Sequence, residues 1–129
     1  MGDEMFERGE AMRRAVLGDA YVDAALTRAD PLAADFQRFL TEYCWGATWG
    51  REGVLTRRDR SLLTLMILGT LGRASEFKLH LRAAIGNGCT RAEIAEALQH
   101  LAVYAGVPAG VEAFRLTREV LAEMDHSSD

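Results

Sequence analysis

Thr56-Arg57-Arg58-Asp59-Arg60-Ser61-Leu62-Leu63-Thr64-Leu65-Met66-Ile67-Leu68-Gly69-Thr70-Leu71-Gly72 is the stretch whose reading decides the fold. Thr56 followed three residues later by Asp59 resembles a capping box, in which a hydroxyl and a carboxylate satisfy backbone N–H groups that a first helical turn leaves without partners. Leucine, methionine and isoleucine then follow without the alternation of a strand, and Gly72 supplies a stop. The stretch predicts a helix that is apolar nearly all round, which belongs at the centre of a helical fold or at a contact between subunits. Its longest apolar run, near Leu62 to Leu71, is interrupted by Thr64, Gly69 and Thr70 and is too short to span a bilayer.

Helix signals recur on both sides of this stretch and strand signals do not. Downstream, a helix from about 75 to 85 is stopped by Gly86-Asn87-Gly88. Thr90 to Glu93 is a full capping box for the next helix, which carries Ile94, Ala97, Leu98, Leu101 and Ala102 to Tyr104. Val107-Pro108 restarts the chain into a last helix to about Met124, and residues 125–129 read as a frayed tail. Upstream, a helix over 4–16 is punctuated by Gly18-Asp19 before a short helix over 20–28. Asp30-Pro31 then opens a third, with Leu32, Phe36, Phe39, Leu40 and Tyr43 at helical spacing. The span from Trp45 to Leu55 contains Gly46, Gly50 and Gly53 and reads as an aromatic loop or frayed end. The sum is an all-α chain of 129 residues, one compact domain over 1–129 with about six to seven helices.

Charge is unevenly distributed. The net charge of −4 disfavours nucleic acid or an anionic membrane as a partner. Between Arg51 and Arg82, however, seven basic residues face three acidic ones, which leaves this segment at +4 and the remainder at −8. The middle of the chain is suited to a small anion, and its cations are mostly arginine, whose planar fork matches a carboxylate. The start, Met1-Gly2-Asp3-Glu4, is acidic and leads into no apolar signal region. Cys44 and Cys89 fall outside any Cys-x-x-Cys spacing, so they read as reduced thiols of a cytoplasmic protein rather than as a zinc site or disulfide framework.

Chemistry is concentrated at Glu76 and His80, an i,i+4 pair that projects from one helix face with Arg73 and Arg82 on either side. The same stripe continues through Ala83 and Asn87, small or polar residues that leave room for a ligand. Spacing alone supports an acid/base pair and an ordinary helix-surface pair equally. Trp45 and Trp49 are also four apart, suited to an apolar pocket wall or, more commonly, to core or interface packing. His100 and Tyr104 form a third such step, and there packing or exposure is the better reading. Glu76-x-x-x-His80 supplies two ligands where a catalytic zinc needs three, and no Gly-rich nucleotide motif is present, so neither a metal nor a cofactor is expected.

Several segments carry a family likeness: Thr41-Glu42-Tyr43-Cys44-Trp45-Gly46-Ala47-Thr48-Trp49-Gly50-Arg51, Arg60-Ser61-Leu62-Leu63, Glu76-Phe77-Lys78-Leu79-His80, Tyr104-Ala105-Gly106-Val107-Pro108-Ala109 and Glu112-Ala113-Phe114-Arg115. They resemble the gamma-carboxymuconolactone decarboxylases, within the alkylhydroperoxidase D-like superfamily. The redox branch of that superfamily uses Cys-x-x-Cys-x-x-x-His, and here Arg73 and Glu76 stand where its two cysteines would be. Without a thiolate there is no peroxidatic nucleophile, which favours the decarboxylase branch.

The resemblance implies an alkylhydroperoxidase D-like helical fold and a homo-oligomer, commonly a hexamer, with sites near subunit contacts. It implies cofactor-free conversion of 4-carboxymuconolactone, a dicarboxylate lactone, to 3-oxoadipate enol-lactone and carbon dioxide in the protocatechuate branch of aromatic catabolism. It also implies roles. His80 is the donor or acid at the lactone end and Glu76 orients it or shuttles the proton, with the two roles exchangeable. Arg51 anchors the acetate arm, with Arg73, Arg82 and Arg60 as the other candidates, while Trp45 and Trp49 line the site of the departing carboxylate.

Overall fold

The computed structural model describes residues 2–127, and every described element is helical. Seven α-helices are formed: α1 (Gly2–Leu17), α2 (Asp19–Arg28), α3 (Ala34–Leu40), α4 (Arg57–Leu71), α5 (Ala74–Gly86), α6 (Arg91–Ala105) and α7 (Val107–Ser127). A π-helical segment, Thr41–Trp49, continues α3. Backbone contacts divide the chain into two compact units, Met1–Arg57 and Arg58–Asp129.

The first unit is organised by the packing of α1 against the π-helical segment. The expectation of a loop from Trp45 fails over residues 45–49, and the glycines explain why. A Cβ on Gly46 would lie 2.6 Å from the Met5 carbonyl oxygen and 2.8 Å from its sulfur, and one on Gly9 would lie 2.0 Å from the Thr41 carbonyl oxygen. These glycines let two helical backbones touch, so Gly46 is a packing device and not a breaker. Thr41, Trp45 and Trp49 are buried in the same segment. The buried Arg13 guanidinium of α1 donates to Gln37 Oε1 at 3.0 Å and to Thr41 Oγ1 at 3.4 Å, and burial lowers its pKa. Asp30 caps the turn before α3, its Oδ1 accepting from the Ala33 N–H at 2.9 Å.

The second unit has a core of Leu65, Phe77, Leu81, Ile94, Leu98, Leu116 and Val120, contributed by α4, α5, α6 and α7. Gly72, with φ 71°, separates α4 from α5 in a backbone conformation that side chains rarely adopt. The capping box of α6 forms in full: the Thr90 N–H donates to Glu93 Oε1 at 2.9 Å, and the Glu93 N–H donates to Thr90 Oγ1 at 3.1 Å. The last helix runs on through Ser127, past the expected end near Met124, because Arg91 of α6 ion-pairs with Asp125 and the Ser127 hydroxyl donates to the Glu123 carbonyl at 2.8 Å. Residues 128 and 129 of the expected frayed tail lie outside the described residues. Only part of α4 is covered within this unit: Ser61 and Leu65 are buried, while Leu63, Ile67 and Leu71 are 51%, 58% and 63% exposed.

Candidate active site

The α5 helix fixes Glu76 and His80. Arg73 stands immediately before it, and the Phe77 N–H donates to the Arg73 carbonyl at 2.8 Å, closing the first turn. Phe77, Leu81 and Ala84 bury one face of α5 completely. That places Glu76 out in solvent and His80 at the border, half-buried, with its Nδ1 below the surface. Burial pulls the His80 pKa down to about 4, and the nearby Glu76 charge opposes this without reversing it. At neutral pH the imidazole is therefore uncharged, an N–H donor and a lone-pair acceptor at once.

The lower half of the stripe is closed. Ala83 is buried, and the Asn87 side-chain amide donates to the hydroxyl of buried Ser61 on α4 at 2.9 Å. The room expected beside Ala83 and Asn87 is thus taken up by packing, since a side chain as small as alanine lets the neighbouring helix approach. A small recess remains at the other end, where Leu68, Gly72, Arg73, Ala74, Phe77 and Glu112 line a concavity of about 20 Å³, room for roughly one water.

The arginine-rich middle is largely neutralised by acidic residues distant in sequence. Arg58 pairs with Glu93, Lys78 with Glu119 at 2.6 Å, and Arg82 with Glu123, while Arg57 meets Glu52 at 3.5 Å. Of the sequence-derived anchor candidates in the second unit, Arg82 is therefore committed to α7. Arg73 makes no ion pair among the described residues. Glu112, which shares the concavity with it, is held by Arg115, whose Nε donates to Glu112 Oε2 at 3.0 Å.

Trp45, Trp49 and Arg51 belong to the first unit. The two indoles stack at 5.0 Å between centroids with a 30° tilt and are only 4% and 5% exposed, so within that unit both are core side chains. Arg51 is exposed at the end of the π-helical segment. His100 is exposed on α6, its ring 4.9 Å from that of Tyr104. Both thiols are disfavoured as thiolates: burial is the main cause that raises the pKa of Cys44 and of Cys89. Among the described residues, no group of three or more His, Cys, Asp or Glu side chains is placed to hold a metal ion, and no helix is long and apolar enough to cross a membrane.

A helical chain with Glu-x-x-x-His on α5 and no cysteine beside it matches a known family profile: residues 34–119 fit the carboxymuconolactone decarboxylase family. The chain belongs to that family. It is 38% identical over 125 residues to 4-carboxymuconolactone decarboxylase of Acinetobacter baylyi, a match covering 96% of this chain and 92% of that protein. It is also 42% identical over 120 residues to the nitrosuccinic acid decarboxylase of Metarhizium robertsii, covering 93% of this chain and 83% of that one. The all-α architecture expected from the sequence is the architecture of the chain, with seven α-helices among the described residues.

Proposed function

We propose that this chain is a carboxy-lyase that converts 4-carboxymuconolactone to 3-oxoadipate enol-lactone and carbon dioxide, with Glu76 and His80 as the catalytic pair. The observation that carries the reading is a half-buried His80, its pKa pulled down to about 4 by burial, one helical turn from an exposed Glu76 in a chain of this family. Loss of carbon dioxide from the ring carbon leaves an electron pair that delocalises through the ring double bond onto the lactone carbonyl. The lactone is its own electron sink, so catalysis needs a hydrogen-bond donor for the developing oxyanion and a proton for the carbon alpha to it.

A neutral imidazole suits the first task, because it donates an N–H bond without requiring a proton of its own to be replaced. Glu76, open to water, relays a solvent proton to carbon. His80→Ala and Glu76→Gln should each lower turnover by about a hundredfold or more while leaving the fold intact. Carbon dioxide release and enol-lactone formation measure this, and wild-type turnover in both variants would sink the assignment.

The likeness to nitrosuccinic acid decarboxylase supports a second reading within the same chemistry, decarboxylation of a nitro acid in another pathway. A thiol peroxidase is disfavoured by the raised thiol pKa values and by Arg73 and Glu76 at the positions of the redox cysteines. Assembly into a homo-oligomer, a hexamer by family analogy, is supported by the exposed Leu63, Ile67 and Leu71 on α4. We place the enzyme in the cytoplasm and in the protocatechuate branch of aromatic catabolism, acting as one carboxymuconolactone decarboxylase-like domain. Two unpaired thiols and the family resemblance support that placement.

A further inference from the structure

4-Carboxymuconolactone and nitrosuccinic acid look unalike but share a core. In each, the carbon bearing one carboxylate is bonded to a CH2–COO⁻ arm and to a group that accepts an electron pair. The acceptor is a conjugated lactone in one and a nitro group in the other. Without the acceptor, both are the same succinate dianion. A site that grips this core and leaves the acceptor to the substrate serves either compound.

The α5 stripe offers a matching row. Arg73, Glu76 and His80 follow one another at i, i+3 and i+7, so their backbone positions span about 10 Å at 1.5 Å per residue. The row is closed below His80 by Ala83 and by the bond from Asn87 to Ser61, so its accessible end is the one that holds Arg73. Lys78 and Arg82 of the same helix are engaged by Glu119 and Glu123, and Glu112 beside Arg73 is engaged by Arg115. Arg73, the N-cap of α5, pairs with no carboxylate of the described residues, and a guanidinium fork takes a carboxylate in two parallel bonds.

We infer that Arg73 anchors the retained CH2–COO⁻ arm and that the site selects succinates carrying an electron acceptor at C2, whether lactone or nitro. This rests on the decarboxylase reading and narrows its substrate class. With the arm on Arg73, the bond from C2 to the other carboxylate breaks and its electron pair enters the acceptor. Carbon dioxide leaves, and a solvent proton relayed by Glu76 returns to the carbon alpha to the lactone carbonyl, or to C2 itself in the nitro acid. No oxidant or reductant is consumed.

The test uses the full-length protein with 4-carboxymuconolactone and 2-nitrosuccinate as substrates, and with succinate and propanoate as inhibitors. The inference expects carbon dioxide from both substrates, competitive inhibition by succinate, and none by propanoate at equal concentration. Arg73→Gln should raise KM for both substrates and the inhibition constant of succinate about tenfold or more, with kcat within a fewfold of wild type and an unchanged thermal midpoint. Arg73→Lys should recover part of the loss. Lactone turnover without competition by succinate, or with Arg73→Gln kinetics equal to wild type, overturns the inference and leaves the proposed function standing. Nitrosuccinate turnover with succinate competition but no lactone turnover removes the lactone assignment and keeps the succinate core. Turnover of neither overturns both.

Discussion

The Glu76 carboxylate lies one helical turn from the His80 imidazole and favours its charged form, yet burial prevails and holds the His80 pKa near 4. A group whose pKa is lower in the folded chain than its ordinary value of 6.5 takes up its proton more readily when unfolded. The stability linked to neutral His80 is therefore complete above about pH 6.5 and is lost as pH falls from there toward about 4. Between pH 7 and pH 5 the loss is at most about 2 kcal/mol, because His80 keeps part of its surface in water. Urea unfolding at the two pH values should show it, and His80→Ala should shrink the difference. In an NMR titration, Glu76→Gln should lower the imidazole midpoint further, since it removes the charge that raises it. A wild-type midpoint near 6.5 would overturn the burial argument.

Glycines on α1 and the π-helical segment tolerate no side chain. Gly46→Ala drives a methyl group to 2.6 Å from a backbone oxygen of α1, which must shift to accept it. The expected cost is about 1–3 kcal/mol, read as a lowered thermal midpoint with new heterogeneity in Trp45 and Trp49 fluorescence. Gly86→Ala is the internal control. Its Cβ meets nothing within 4 Å at the end of α5, so stability should hold or rise by up to about 1 kcal/mol.

The two glycine sites also show where sequence reading stopped. Capping residues acted locally, and Thr90 with Glu93 set the start of α6 as their spacing demanded. Gly46 looked like a breaker because its reason lies in α1, dozens of residues away, although the four-residue steps from Trp45 to Trp49 and from Gly46 to Gly50 carried a helical period. Charge behaved likewise. The basic excess from Arg51 to Arg82 was visible, but the partners Glu93, Glu119 and Glu123 arrive through tertiary packing, so sequence alone left Arg73, Arg82, Arg60 and Arg51 as rival anchors. Glu76 and His80 were legible as a pair because a helix places i and i+4 together. The neutrality of His80 was not, since it depends on what buries it.

Cysteine chemistry should be dispensable. Burial opposes ionisation of both thiols, and Cys89 is occupied within the core, its Sγ 3.5 Å from the Arg58 carbonyl oxygen. A Cys44→Ala, Cys89→Ala double variant should keep decarboxylase turnover within a fewfold of wild type and show no change in peroxide consumption. Its stability should drop by about 1 kcal/mol, mainly from the vacated Cys89 site. Loss of turnover without unfolding would point to a thiol in the mechanism.

Leu63, Ile67 and Leu71 recur every four residues on one face of α4, and each is more than half exposed within the second unit. Three large aliphatic side chains in a helical row are costly to leave in water, at about 25 cal/mol per Å² of apolar surface, and a second copy of the chain would supply a matching face. Ile67→Glu, at the middle of the row, would put a charge into such a contact while costing an exposed site in a monomer almost nothing. Light scattering on a sizing column should therefore find wild type as a multiple of the chain mass and Ile67→Glu shifted toward the monomer, with its helical circular dichroism preserved. If wild type itself runs as a monomer, or if Ile67→Glu keeps the wild-type mass, the α4 row is not the contact that holds an assembly together.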